Sequence, residues 1–211
     1  MSAFGYRKPA DLPATIAVFP LNGAILFPRG ELPLNIFEPR YLNMIDDALR
    51  ADRMIGMIQH PGPRALSDVG TIGKISSFSE TEDGRYLITL SGVCRFRVAK
   101  ELQVSTPYRQ ALVDYEPFAR DFENPRSANI DREKLRHALQ NYVDTHGYQA
   151  DWSAVDNAPP EALVNTVATI CPFDAPAKQA LLEAPTVNER CAALIALLEM
   201  GAGARDTGPL Q

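Results

Sequence analysis

Between Thr15 and Tyr115 apolar residues recur in short runs and at every second position; from Asp131 onward they recur at helical spacing. The two periods predict a β-rich first part and a helical second part. Thr15-Ile-Ala-Val-Phe19 is an apolar run closed by Pro20 and reads as a short strand. Leu32, Leu34 and Ile36 alternate with Pro33, Asn35 and Phe37, which makes extended chain. Proline has no N–H for a ladder, so this stretch belongs at a sheet edge or a strand start. A helix is predicted from Glu38-Pro39, where the missing N–H would have no helical partner anyway. Tyr41, Ile45, Ala48 and Leu49 share one face of it, and it ends near Asp52. Met54-Ile-Gly-Met-Ile58 then forms a buried strand.

Thr71 to Val93 reads as a hairpin with Asp83-Gly84 as a two-residue turn. That register sets Thr81 opposite Tyr86. It puts Tyr86, Ile88 and Leu90 on the core face, across from Ser79 and Ser77. In Arg95-Phe-Arg-Val98, Phe96 and Val98 fall on one side and both arginines on the other. Ala111, Val113 and Tyr115 make one further strand. Pro117 to Asn129 is polar and aperiodic, as a linker would be.

Asp131 is expected to cap a helix carrying Leu135, Leu139, Tyr142 and Val143, stopped by Gly147. Pro160 opens another, with Leu163, Val164, Val167 and Ile170 inward and Pro172 beyond its end. Asp174 introduces a third, with Leu181 and Leu182. Thr186-Val-Asn-Glu189 has the form of a capping box. It opens a helix bearing Cys191, Leu194, Ile195 and Leu198 that ends at Gly201. The predicted class is α+β, with a β-rich domain over 1–118, a helical one over 119–201 and a disordered tail over 202–211.

Composition narrows the function classes. The 211 residues are 45% hydrophobic and 22% charged, enough to build a core without metal or disulfide. The net charge of -5 argues against nucleic acid and anionic membranes as partners. Cys94, Cys171 and Cys191 sit in apolar runs with no C-x-x-C pair, as buried reduced thiols do. There is no signal peptide pattern, and no apolar run approaches the ~20 residues that span a bilayer. The expected location is the cytoplasm.

Motifs for chemistry fail on inspection. Around Gly70-Thr-Ile-Gly-Lys-Ile75, Asp68 stands where a phosphate loop needs its first glycine, and Ile75 where it needs a hydroxyl. His60, His137 and His146 are scattered, and the latter two point about 180° apart on one helix at 100° per residue. No G-x-S-x-G elbow occurs. No catalytic, cofactor or metal site is predicted. Arg85, Arg95 and Arg97 lie among Glu80, Glu82, Asp83 and Glu101, which reads as a neutralised sheet surface. Glu38-Pro-Arg40, at a helix start after an apolar extended segment, reads first as a partly buried ion pair and second as an anchor for bound peptide. Phe37 and Leu34 are the apolar candidates beside it.

Several strings carry a resemblance: Phe19-Pro-Leu21, Leu26-Phe-Pro28, Leu32-Pro-Leu-Asn-Ile-Phe-Glu-Pro-Arg-Tyr41, Asp52-Arg-Met-Ile-Gly56, Val69-Gly70, Asp83-Gly84-Arg85 and Gly92-Val-Cys-Arg-Phe96. Cys171-Pro-Phe173, Lys178-Gln-Ala-Leu-Leu182 and Arg190 continue it. Together they are similar to the substrate-binding (N-terminal) domain family of Lon proteases, especially its stand-alone bacterial members. The resemblance implies a PUA-like β pseudo-barrel followed by an α-helical bundle, and engagement of protein substrates without the ATPase or peptidase parts. The expected function is a non-catalytic module for unfolded or partly folded polypeptide, with Leu34, Phe37, Glu38 and Arg40 as substrate-binding residues. The alternatives are an adaptor for one folded protein partner and an RNA-binding PUA-like protein, the latter disfavoured by the acidic charge.

Overall fold

Six apolar-patterned segments form strands: β1 Thr15–Pro20, β2 Glu31–Ile36, β3 Met54–Ile58, β4 Val69–Glu80, β5 Tyr86–Leu102 and β6 Arg109–Asp114. The structure is a computed structural model that describes residues 5–62, 65–123 and 128–203. The chain divides into two compact units, Met1–Asn124 and Pro125–Gln211. In the first, the strand order is β2-β5-β4-β3-β1-β6, and β5 also pairs with β6. The long β5 makes this possible: its first part, Tyr86 to Ser91, pairs with β2, and its last part, Arg97 to Leu102, pairs with β6. The sheet thus closes on itself, with β2 attached outside the ring. β1 and β3 run parallel; the other pairings are antiparallel. Irregularities at Ile72/Gly73, Ile75/Ser77 and Val98/Lys100 supply the local bends that closure requires.

The helix α1, Pro39–Arg50, starts on its proline as expected and ends slightly earlier than Asp52. It buries Tyr41, Met44, Ile45 and Ala48 against Ile36, Ile88 and Leu90. Tyr86 packs partly buried on the same cluster and donates its hydroxyl to Asp46 at 3.0 Å. The Tyr86, Ile88, Leu90 face is therefore the core face. Its cross-strand partners differ from the expectation. Glu80, not Thr81, stands opposite Tyr86; Phe78 faces Ile88 and Ile75 faces Leu90, while Ser79 and Ser77 face Leu87 and Thr89. The loop has three residues, Glu82-Asp83-Gly84, because Thr81 N–H bonds Arg85 O at 2.9 Å and Gly84 takes the left-handed conformation at φ 78°.

Gly70, in the stretch tested as a phosphate loop, lies within β4. A Cβ there would stand 2.5 Å from Met57 O and 2.6 Å from the Phe96 ring, so glycine lets the strands and the ring close up. Arg95 departs from the predicted solvent face. It is buried, and so is Asp121, which lies in the 3₁₀ segment Glu116–Phe122 inside the stretch read as linker. That segment docks on β5 through Phe118 and Asp121. Asn124 to Ser127, also within the stretch, lie outside the described residues.

The second unit consists of α2 Arg132–His146, α3 Trp152–Asn157, α4 Pro160–Ile170, α5 Ala175–Glu183 and α6 Val187–Gly203. α2, α4 and α5 all pack on α6. Asp131 and Asp174 cap α2 and α5 by accepting from Lys134 N–H and Ala177 N–H, at 3.0 and 2.8 Å. Glu189 N–H donates to Thr186 Oγ1 at 3.2 Å, and that hydroxyl donates to the Glu189 carboxylate. Leu135, Leu139, Leu194 and Leu198 are core residues as their spacing predicts. Two expectations are corrected, and one element is new. Ile170, at the C-terminal end of α4, is 70% exposed rather than inward. Gly201 lies inside α6, where a Cβ would approach the Tyr142 ring to 2.7 Å, so it serves helix contact rather than termination. The short α3 was not anticipated, since six residues give too few turns for a periodic signal. Ala202 and Gly203 end α6, and the rest of the expected tail, 204–211, lies outside the described residues.

Candidate functional site

Three surfaces stand out, two in the first unit and one in the second. The first is the edge formed by β2. Gly92 N–H donates to Gly30 O at 2.8 Å, so the residues in step with Gly30, namely Leu32, Leu34 and Ile36, spend their backbone groups on β5. Glu31, Pro33 and Asn35 turn theirs away, and among the described residues no strand pairs along that side. Pro33 stands at an outward position, where its missing N–H breaks no ladder bond. The side chains of Glu31, Pro33 and Asn35 are exposed, and Phe37, next in the alternation, is 64% exposed. Leu87, on β5 opposite Asn35, is also exposed. Leu34 faces the other way and packs half-buried on the core.

Glu38 and Arg40 lie next to Phe37. Arg40 Nε and an Nη atom reach Glu38 Oε2 at 2.9 and 2.7 Å, and the guanidinium lies 4.5 Å from the centroid of the Tyr41 ring. The expected partial burial of this pair is corrected: the side chains are 53% and 43% exposed. They protrude because Glu38 is the residue before the helix and neither side chain points down the apolar face. An exposed pair contributes ~1 kcal/mol or less. Arg40→Ala is therefore expected to leave the denaturation midpoint almost unchanged; a loss above about 2 kcal/mol in urea unfolding would show a hidden structural role.

The second surface is a small cavity of about 200 Å³ behind Arg40, lined by Tyr41, His60, Tyr108 and Arg109 among others. Arg109 is held by Glu101 at 2.5 and 2.7 Å. Tyr108 donates its hydroxyl to Asp47 Oδ2 at 2.7 Å. Burial first, and then the bond to Asp47, push the Tyr108 hydroxyl up to about 12. An unfolded tyrosine titrates near pH ~10. As pH rises the unfolded chain loses this proton first, so the stabilisation is complete below about pH 10 and disappears between about 10 and 12. Tyr108→Phe should consequently show a shallower fall in melting temperature across that range than the parent. An identical slope would assign the alkaline loss to other tyrosines. The sequence gives no sign that His60 meets Tyr108 and Arg109, because it lies far from them in the chain and shares no local motif with them.

The third surface lies wholly within the helical unit. Leu139, Val143, Val155, Leu163, Val167 and Ile170 are among the residues around a cavity of about 790 Å³. Tyr148, half exposed, also lines it. None of the sequence candidates falls here. The thiols are poor candidates for chemistry: all three cysteines are buried, and burial raises each, Cys171 to about 11. Lys178 and Arg190, two of the residues behind the resemblance, are buried and bonded to the helix framework, Lys178 to Thr169 O at 3.1 Å and Arg190 to Leu181 O at 3.0 Å and Asn165 Oδ1 at 2.7 Å. They hold helices together rather than forming a site.

The family model described as the ATP-dependent protease La (LON) substrate-binding domain matches residues 15–200. Lon protease 2 of Myxococcus xanthus is 31% identical over 121 residues, covering 54% of this chain and 14% of that protein. Lon protease 2 of Sorangium cellulosum is 27% identical over 202 residues, covering 87% of this chain and 24% of that protein. The chain thus spans less than a quarter of the length of these relatives. Two solved structures share the fold. A Lon N-terminal domain protein from Xanthomonas campestris aligns with a TM-score of 0.63 at 21% identity, covering 87% of this chain and 98% of that one. The N-terminal domain of the Mycobacterium avium complex Lon protease aligns with a TM-score of 0.64 at 18% identity, covering 87% and 97%. With a β unit closed by β5, a helical unit after it, and a family match running through both, the chain belongs to the Lon substrate-binding domain family.

Proposed function

We propose that this chain binds exposed segments of unfolded or partly folded polypeptides in the cytoplasm, and performs no catalytic step of its own. The observation that carries the reading is the outer side of β2, unpaired among the described residues, with Phe37 beside it. An extended segment laid along Glu31, Pro33 and Asn35 would gain backbone hydrogen bonds, and an apolar side chain of that segment would cover Phe37. Glu38 and Arg40 would set the polar end of the contact, and Leu34 would brace the strand from the core side. Pro33 withholds one donor, which limits pairing of one copy with another along the same edge. Binding is expected to be weak, because ordering a flexible chain offsets ~2–5 kcal/mol of the contact energy.

The test is a titration of a fluorescently labelled, reduced, unfolded protein against the parent chain and against Phe37→Ser, with circular dichroism confirming that the variant folds. Saturable binding that Phe37→Ser weakens several-fold is the expected result. Failure of the parent to bind at millimolar concentration, with tight capture of one native protein instead, would favour an adaptor for a folded partner.

A further inference from the structure

The helical unit carries the larger cavity, and its construction indicates an occupant different from that of the β2 edge. Its wall α3 is pinned to α2 from both ends. Arg132 donates to the carbonyls of Val155 and Asp156 at 2.9 and 3.1 Å and also to that of Ala158. Arg136 bonds the Asp156 carboxylate at 2.9 Å and lies 5.1 Å from the Trp152 ring centroid. At the start of α3, Asp151 accepts from Ala154 N–H at 3.0 Å. A short helix held at both termini makes a fixed wall for the groove, which lowers the ordering cost of binding. The opposite wall is α4, whose exposed Ala162, Thr166 and Ile170 follow one another at four-residue spacing along a single stripe. The cavity volume falls within the ~300–1,000 Å³ of typical ligand sites.

Charge selects among apolar occupants. Among the described residues, Asp151 is the only charged one lining the groove. Across residues 128–203 ten carboxylates face five basic side chains, Arg132, Lys134, Arg136, Lys178 and Arg190. Lys178 and Arg190 are buried, Arg132 and Arg136 are turned onto α3, and Lys134 lines a separate cavity with Asn129 and Asn188. Among the described residues no lysine or arginine lines this groove, and carboxylates outnumber basic side chains in the helices that form it. An acidic segment would be repelled and a basic one drawn in.

We propose that this groove is a second polypeptide-binding site, selective for an apolar segment flanked by lysine or arginine. The proposal rests on the polypeptide-binding reading above and assigns a substrate class to it. The apolar side chains fill the space between α3 and α4, and the flanking cation faces Asp151. The β2 edge selects for extended backbone, whereas this groove selects by charge.

The intact chain has a single tryptophan, Trp152, on α3 beside the groove, so its fluorescence reports occupancy locally. Two peptides sharing one apolar core, one with lysine flanks and one with glutamate flanks, are titrated at low and high salt. The lysine-flanked peptide is expected to bind about ten-fold more tightly at low salt, with the gap narrowing as salt screens the charge. Ala162→Phe, at an exposed position of the groove, should weaken it by a similar factor. Asp151→Asn, which retains the helix cap, should reduce the preference for lysine flanks while leaving the fold intact. Equal binding of the two peptides, or binding indifferent to Ala162→Phe, overturns the proposal. So does occupation by a neutral apolar small molecule with neither peptide competing. If the unfolded protein still binds in a manner sensitive to Phe37→Ser, only this second site is lost; if no polypeptide binds at either surface, the reading beneath it fails as well.

Discussion

Replacing Asp121 by alanine is expected to destabilise the β unit by about 3–5 kcal/mol, the usual cost of stranding one member of a buried ion pair. The geometry leaves little room for relief. Asp121 Oδ2 accepts from the Arg95 backbone N–H at 2.9 Å and from Arg95 Nε at 3.0 Å, while Oδ1 accepts from an Nη atom at 2.8 Å. The two side chains are 4% and 7% exposed. The Arg95 guanidinium also lies 4.8 Å from the Phe118 ring centroid, and Arg29 donates to the Asp121 carbonyl. Alanine would leave a guanidinium without its counter-charge and a strand N–H without an acceptor. Urea unfolding followed by circular dichroism, with amide exchange in β5 as the local measure, checks the value. A loss below ~1 kcal/mol would mean that water or a neighbouring carboxylate takes over the pair. The double replacement Arg95→Met with Asp121→Leu should recover much of the loss, since well-packed apolar residues often replace a buried pair at no net cost.

Leu90→Ala should cost about 2–5 kcal/mol, toward the upper end. Leu90 is fully buried, paired with Leu32 on β2 and Ile75 on β4, in the cluster under α1. A residue hemmed by strands on both sides leaves a cavity that the backbone cannot close, and cost rises with the volume that remains. Leu87, three positions earlier on the opposite face and 45% exposed, is the control: Leu87→Ala should stay within about 0.5 kcal/mol. Similar losses at the two sites would contradict the assignment of inner and outer faces.

The candidate site was partly legible from residue order. Phe37, Glu38 and Arg40 are contiguous, and the strand-to-helix change at Pro39 shows in the chain as a shift of period. Proline at Pro33 marks an edge because its chemistry is local. The same reasoning misjudged Arg95 and Asp121. Twenty-six positions separate them, and a polar, aperiodic segment gives no sign that one carboxylate in it is buried against β5. It also placed the hairpin one residue out of register. Asp-Gly fits either a two-residue or a three-residue loop, and the pairing of the flanking strands decides between them.

What the sequence determines here is what depends on near neighbours. The division into a β-rich and a helical half follows from periodicity, the helix starts at Pro39, Asp131 and Asp174 from capping chemistry, and the core faces of β5, α2 and α6 from spacing. Family membership shows as well, through contiguous strings such as Phe37-Glu-Pro-Arg-Tyr41. Tertiary structure alone decided which surfaces stay open. Barrel closure by two halves of one long strand leaves β2 with a side on which, among the described residues, no strand pairs. Ile170 lines a groove shared with α3 instead of the core its helical spacing suggested. Burial depends on which elements meet, and that is set by packing among residues far apart in the chain, which no local period encodes.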